Sequence, residues 1–307
     1  MAFDFYFAGS QHKTSEQLIV DSNSNVLRSF VNDKGSIERF IKLKKDGAWK
    51  GKLLVDSGAF SVYRKGLKVN IDEYIDWLNI KSEYIDYFIM LDVIPGKYGL
   101  VKTSEDAMKS ADLTWKNYLY MVDRLKEPLK LLPVFHQYKH ADYLKQFLNY
   151  RINGQLIPYI CLSGDKQKTG KFRKQWYAKC FDIIHKSDNP FIKVHCLGSA
   201  TLTDVVYFPF TSMDSTTWIM CSANGSIMTP YGTVFVSDMG KFNKNNLVNL
   251  STDWQNLIKT MCDRYNINYD KLFTDYKERA MFNVNYMIES SNEVKYKERN
   301  LKIRRLF

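Results

Sequence analysis

The feature that most constrains this chain is a recurring unit, a short apolar run that stops on a polar or acidic residue and is followed by a segment of helical periodicity. Leu53-Leu54-Val55 runs into Asp56-Ser57-Gly58, where glycine permits positive φ or close backbone approach. The run 86–91 ends at Asp92, 131–135 at His136-Gln137, and 157–162 at Ser163-Gly164-Asp165. The run 191–194 leads into His195, and 211–213 into Asp214-Ser215-Thr216. Phe5-Tyr6-Phe7-Ala8, closed by Gly9-Ser10, supplies a first strand, and 225–237 an eighth β-rich segment or hairpin. Helical spacing marks 36–45, 71–84, 103–125, 141–150, 172–186 and 203–207 between these runs, and 251–265 and 268–288 after them.

Strand–helix alternation with polar residues collected after each strand is the layout of an α/β fold of the (β/α)8, TIM-like kind. In that fold the site is built from loops at the C-terminal ends of the strands. The expected organisation is one domain over 1–307, with a barrel over about 1–265 and C-terminal helices with a basic tail over about 266–307. An open, doubly wound sheet is the alternative, because alternation alone does not distinguish closed from open.

Composition narrows the class. Of 307 residues, 45% are hydrophobic, enough for a large core, and 25% are charged, which argues against disorder. No apolar run approaches the roughly 20 residues that span a bilayer. The N-terminus has neither the basic nor the apolar region of a secretory signal. Cysteines 161, 180, 196, 221 and 262 are scattered, odd in number and without CxxC spacing, so neither a disulfide framework nor a zinc site is expected. A reduced, cytoplasmic setting follows. The net charge of +11 fits a polyanionic partner, or simply a basic enzyme.

Some signals carry no chemistry. Gly164–Phe172 superficially resembles a phosphate-binding loop, but five residues separate its glycines instead of four, and no Ser or Thr follows Lys171. The carboxylates say more. Two acids from separate strand ends can divide work at a glycosidic carbon, one attacking and one moving protons. Asp56 and Asp214 are the candidates, since each ends an apolar strand and precedes a small hydroxyl residue. Asp92, an acceptor when ionised, suits recognition of a base with N–H donors. Each acid alone could be a mere helix cap; their recurrence at strand ends is what argues otherwise. A histidine at such a place, as His136 and His195 are, is more often hydrogen-bonded structure than catalyst. Without a supporting Cys/His cluster the two do not make a metal site.

Five segments then resemble one family. Val55-Asp56-Ser57-Gly58-Ala59-Phe60 resembles the Asp-Ser-Gly-Gly-(Phe/Tyr)-Gln motif of tRNA-guanine transglycosylases, and 88–95 that family's strand ending in Asp with a nearby Pro. Leu162-Ser163-Gly164-Asp165 is similar to its base-contacting loop, Leu197-Gly198 to a later Met-Gly, and Ser212–Trp218 to its nucleophile segment. The Asp-Ser-Thr-x-Trp form is closer to phage-type DNA transglycosylases, which insert 7-deazaguanines into DNA. The resemblance spans roughly 5–235.

It implies that Asp214 attacks C1′ of a guanine nucleotide and holds a covalent glycosyl intermediate, which a free 7-deazaguanine base then displaces. Asp56 would be the proton shuttle, with Ser57 beside it. Asp92 would read the guanine edge, Ser163 and Gly164 would add backbone contacts with His136, and Phe60 and Leu197 (next to Gly198) would sandwich the ring. Lys166, Lys168, Lys171, Arg173, Lys174 and the tail residues Arg304 and Arg305 would meet phosphates. No cofactor is implied. DNA is the expected polymer and tRNA the alternative, in a host cytoplasm if the source is a phage.

Departures sharpen this. The Cys-x-Cys-x-x-Cys…His zinc site of the bacterial tRNA enzymes is missing: only Cys221 and Cys262 follow Asp214, with no histidine. Ala59 and Ser61 replace Gly and Gln. The usual Val-Gln-Gly-Gly reads Val134-Phe135-His136-Gln137-Tyr138, which leaves His136 and Gln137 both open as the base-contacting residue. A catalytically inactive, basic nucleic-acid-binding barrel is the reading from another class.

Overall fold

The computed structural model describes residues 3–9, 13–165, 169–198, 202–238 and 244–294. Its strands are β1 (Asp4–Ala8), β2 (Asn25–Ser29), β3 (Leu53–Asp56), β4 (Tyr87–Ile89), β5 (Leu131–Leu132), β6 (Val134–His136), β7 (Arg151–Ile152), β8 (Gln155–Leu156), β9 (Tyr159–Ser163), β10 (Lys193–Cys196), β11 (Ser212–Ser215), β12 (Ser226–Thr229) and β13 (Gly232–Phe235). Its α-helices are α1 (Lys13–Asp21), α2 (Lys34–Lys45), α3 (Ala59–Lys65), α4 (Ile71–Lys81), α5 (Ser104–Arg124), α6 (Ala141–Asn149), α7 (Gly170–His185), α8 (Leu202–Tyr207), α9 (Thr217–Ala223), α10 (Thr252–Tyr265) and α11 (Tyr276–Glu293).

Nine strands form one parallel sheet in the order β5-β4-β3-β2-β1-β11-β10-β9-β6. Its two ends are joined by Pro133 alone: β5 pairs with β4 and β6 with β9, and the Pro133 carbonyl accepts from Cys161 N–H at 2.8 Å. The sheet is therefore a nearly closed, barrel-like ring. Proline lacks the N–H that a continuous strand would offer, which is why the run breaks there.

Apolar residues on the strands face helices whose own stripes are apolar. Phe7, Phe40, Tyr74, Phe88, Tyr118 and Trp218 are among the largest fully buried side chains. Helix starts follow their caps: Thr103 and Asp106 form a reciprocal capping box on α5, and Asn70 caps α4.

Of the two forms open for 225–237, the structure shows the hairpin: β12 and β13 pair antiparallel, outside the main sheet. The strand beside β1 is β2, hidden in the sequence because Arg28 interrupts its apolar pattern. Arg28 is buried, with Nη1 donating to the carbonyls of Phe7 (2.7 Å) and Leu27 (2.8 Å) and Nη2 3.4 Å from Glu16 on α1. The neutralising acid lies outside the strand, beyond any local pattern.

After α9 the chain makes a second apolar cluster. Ile227, Val234, Ile258, Met261, Leu272 and Phe282 bring the hairpin, α10 and α11 together. Asn283 fastens α11 to the main body. Its Nδ2 donates to Trp218 O (3.0 Å) and Ser222 Oγ (2.9 Å), and its Oδ1 accepts from Met228 N–H (2.7 Å). The helix is a docked element, because a buried amide stays only where its hydrogen bonds are made.

Removing Glu16 leaves the buried Arg28 charge without its ion-pair partner, whereas Glu16 also pairs with Arg39. Glu16→Ala is expected to lower unfolding free energy by roughly 3–5 kcal/mol, read by urea denaturation. Glu16→Ala combined with Arg28→Met should cost less than the sum of the two single changes.

Candidate active site

The strands deliver Asp56, Asp92, His136, Ser163, His195 and Asp214 to the same end of the sheet. Asp56 closes β3, and its Oδ2 accepts from Gly58 N–H at 3.0 Å. Gly58 has φ of 89°, and a Cβ there would lie 2.4 Å from Val31 Cγ2. Both the left-handed backbone and the close approach demand glycine. Ser57 is buried, and its hydroxyl finds no hydrogen-bond partner among the described residues.

Asp92 lies beyond the end of β4, on irregular backbone that α5 holds. Asn117 Nδ2 donates to Leu91 O at 2.8 Å, and Thr114 Oγ1 accepts from Val93 N–H at 3.0 Å. Asp92 is buried against His136, whose Nε2 bonds its Oδ2. Burial holds His136 below the ordinary histidine range, although Asp92 pulls the other way. Behind them Lys139 is buried, its Nζ donating to Thr114 Oγ1 at 2.7 Å, and burial brings its ammonium down to about 8.

Asp214 is bound through one oxygen. Its Oδ1 accepts from Gly198 N–H at 2.6 Å and lies 3.2 Å from His195 Nε2. Its Oδ2 has no hydrogen bond among the described residues. An ionised carboxylate can only accept, which assigns a proton to His195 Nε2; in a neutral imidazole Nδ1 is then the acceptor. The Ser212 hydroxyl is at that Nδ1, and Tyr159 OH is at the Ser212 hydroxyl. A buried hydrogen-bond chain thus runs from Tyr159 through Ser212 and His195 to Asp214, which accepts at its end. Strand register explains it: His195 stands opposite Ser212, and Ser212 and Asp214 share a face two residues apart.

Asp56 senses the other two carboxylates. Burial first, then the charge of Asp92, raises Asp56 to about 7 against the opposing Gly58 hydrogen bond, with Asp214 adding to the rise. Cys161, buried in β9, is raised well above the thiol range by burial and then by Asp214, Asp92 and Asp56. It lies within reach of all three, which marks the convergence.

The remaining wall comes from β6 and β9. Gln137 is buried, its N–H donating to Ser163 O (3.0 Å) and its Oε1 accepting from Asp165 N–H (2.8 Å). Its Nε2 is buried with no partner among the described residues. Asp165 Oδ2 accepts from Lys102 Nζ and Tyr138 OH, each at 2.9 Å, fixing the Ser163-Gly164-Asp165 turn. Phe60, 52% exposed in the first turn of α3 after β3, and half-buried Leu197 in the loop after β10 follow strands on opposite sides of the ring.

Gly198, expected at the base, instead spends its amide on Asp214. Of the expected phosphate contacts, Lys171 is exposed at the start of α7 and Arg173 is half-buried. Lys174 is 3.7 Å from Asp204 and over the Tyr207 ring, so its charge is partly met. Lys166, Lys168, Arg304 and Arg305 lie outside the described residues. Motif reading passed over Tyr159, Ser212 and Lys139; the Ser-x-Asp spacing on β11 was the available signal for Ser212.

Among the described residues, no three or more His, Cys, Asp or Glu are grouped to hold a metal ion, and no helix is long and apolar enough to cross a membrane. No protein-family model and no curated protein matches the chain.

Asp56 titrates higher folded than unfolded, so the folded state binds its proton more tightly. Its contribution to stability is full below the ordinary aspartate pKa and is lost as pH rises through about 7. Asp56→Asn should therefore raise Tm by a few degrees at pH 8 and leave it nearly unchanged near pH 4, as thermal melts at the two pH values would show.

Proposed function

We propose that the protein is a base-exchange transglycosylase that replaces guanine in DNA by a 7-deazaguanine, passing through a glycosyl ester of Asp214. The observation that carries the reading is the asymmetric hold on Asp214: one oxygen is bound by Gly198 N–H and His195, and the other is unbonded among the described residues. A nucleophile needs that arrangement, one oxygen oriented and one lone pair left for carbon. With Leu131–His136 counted as a single strand broken at Pro133, the ring has eight parallel strands, and we read it as a (β/α)8 barrel with its site at the usual end.

In the first half-reaction Asp214 Oδ2 bonds to C1′ while the bond from C1′ to guanine N9 breaks. Asp56, protonated at neutral pH to a substantial degree, gives its proton to the departing base. In the second half, N9 of the incoming 7-deazaguanine bonds to C1′, its proton passes to Asp56, and the ester to Asp214 breaks. A group near 7 suits both directions, since it is neither too weak an acid nor too weak a base. The buried Tyr159–Ser212–His195 chain holds Asp214 in place between the two halves.

Recognition follows from donor and acceptor counting. A guanine edge offers N1–H and an exocyclic amine as donors and O6 as acceptor. Asp92 is an acceptor, and the unpartnered Nε2 of Gln137 is a donor, so the pair complements that edge. This favours Gln137 over His136 for the base contact, because the His136 Nε2 is already engaged with Asp92. Phe60 and Leu197 suit the two faces of the ring.

Asp214→Asn should abolish incorporation of labelled guanine into DNA and form no protein–DNA adduct that survives heating in detergent, while still binding DNA. Exchange at the wild-type rate by that variant would overturn the assignment. The wild-type rate should change with pH around 7, and Asp56→Asn should cut it by about 10²–10⁴-fold and remove that dependence. Side-by-side labelling of DNA and tRNA decides the polymer: label in tRNA alone would favour the tRNA-directed reading.

A further inference from the structure

Beside the carboxylates is a surface of which the chemistry above uses only Phe60. Helix α3 and the loop leading to α5 follow the neighbouring strands β3 and β4. Over 59–69 and 93–102 they bear Arg64, Lys65, Lys68, Lys97 and Lys102 and no carboxylate. Lys102 is committed to Asp165, whereas the other four make no ion pair among the described residues.

Aromatic rings stand among these charges. Tyr98 meets Tyr63 edge-on at 5.8 Å and Phe60 edge-on at 6.4 Å, and the Arg64 guanidinium lies 5.8 Å from the centre of the Tyr98 ring. Even with these neighbours Tyr98 is 47% exposed, and Leu100 and Val101 beside it are exposed too. Such a contiguous patch marks a contact surface. Its charge selects a polyanion, and its rings select flat apolar partners.

Those two requirements meet in one kind of ligand. Unpaired nucleotides offer phosphates to cations and free base faces to aromatic rings, whereas a duplex keeps its base faces inside the stack. The patch also continues into the site, through Phe60 at the start of α3, just after Asp56, and through the Lys102–Asp165 pair.

We infer that Tyr98, supported by Tyr63 and Arg64, is a stacking platform for an unpaired nucleotide adjoining the target, and that the protein engages its polymer as a single strand. The inference rests on the transglycosylase reading only for the identity of the target base.

Fluorescence anisotropy of the full chain with a labelled single-stranded DNA of about 12 nucleotides, the RNA of the same sequence and the DNA duplex tests it. Single strands should bind more tightly than the duplex. Tyr98→Ala should weaken single-strand binding by between about fivefold and a hundredfold, and Tyr98→Trp should retain it. An unchanged thermal melt of Tyr98→Ala keeps the comparison free of unfolding. The RNA arm reports which sugar the strand carries, and loss on Tyr98→Ala with either polymer supports the platform. Equal affinity for single strand and duplex, or unaltered single-strand binding by Tyr98→Ala, would overturn the inference. Its failure is separable from failure of the chemistry: Asp214→Asn should bind like the wild type, and base exchange can persist without a Tyr98 contribution.

Discussion

Three carboxylates brought from separate strands into one poorly solvated space are the constraint on which the rest of the site depends. Like charges in such a place repel, and burial penalises each of them. The fold answers with a different device for each. Asp56 keeps a proton up to about 7, Asp92 is bonded to His136, and Asp214 receives the Gly198 amide and His195. Three chemically identical side chains thereby acquire three environments, and the proposed function gives each its own role: proton carrier, base reader and nucleophile.

The supporting elements follow from that requirement. Gly58 allows the turn that places an N–H on Asp56, and α5 satisfies the irregular backbone that carries Asp92. Register between β10 and β11 stacks His195 on Ser212 and Asp214. Arg28 is neutralised by Glu16, which lets β2 complete the ring between β1 and β3.

Much of this was legible in the sequence, for physical reasons that differ from residue to residue. The strands that lead to Asp56, Asp92 and Asp214 announce themselves because an apolar run stops abruptly at an acid, although Asp92 falls past the end of β4 and Asp214 within β11. Most helices were visible from their periodicity and caps, down to Thr103 before α5. Strand β2 was not, since its apolar pattern is broken by a charge whose partner lies on another element. The hairpin β12–β13 has the composition of a barrel strand, and only its antiparallel pairing separates it from the ring. The role of His195 was equally hidden: a histidine after an apolar run reads as structural until cross-strand register sets it against Asp214. Nor does any sequence pattern report that the Gln137 amide nitrogen is buried without a partner among the described residues while His136 is bonded to Asp92.

The central claim is that the site exchanges a base in a polymer. Nucleoside mass spectrometry of guanine-containing DNA incubated with the protein and a free 7-deazaguanine measures that outcome directly. The account predicts a new deoxynucleoside of the deazaguanine's mass in the digested DNA, with free guanine released in equal amount. Unchanged DNA nucleosides on single-stranded and duplex substrates, across the candidate deazaguanines, would contradict it.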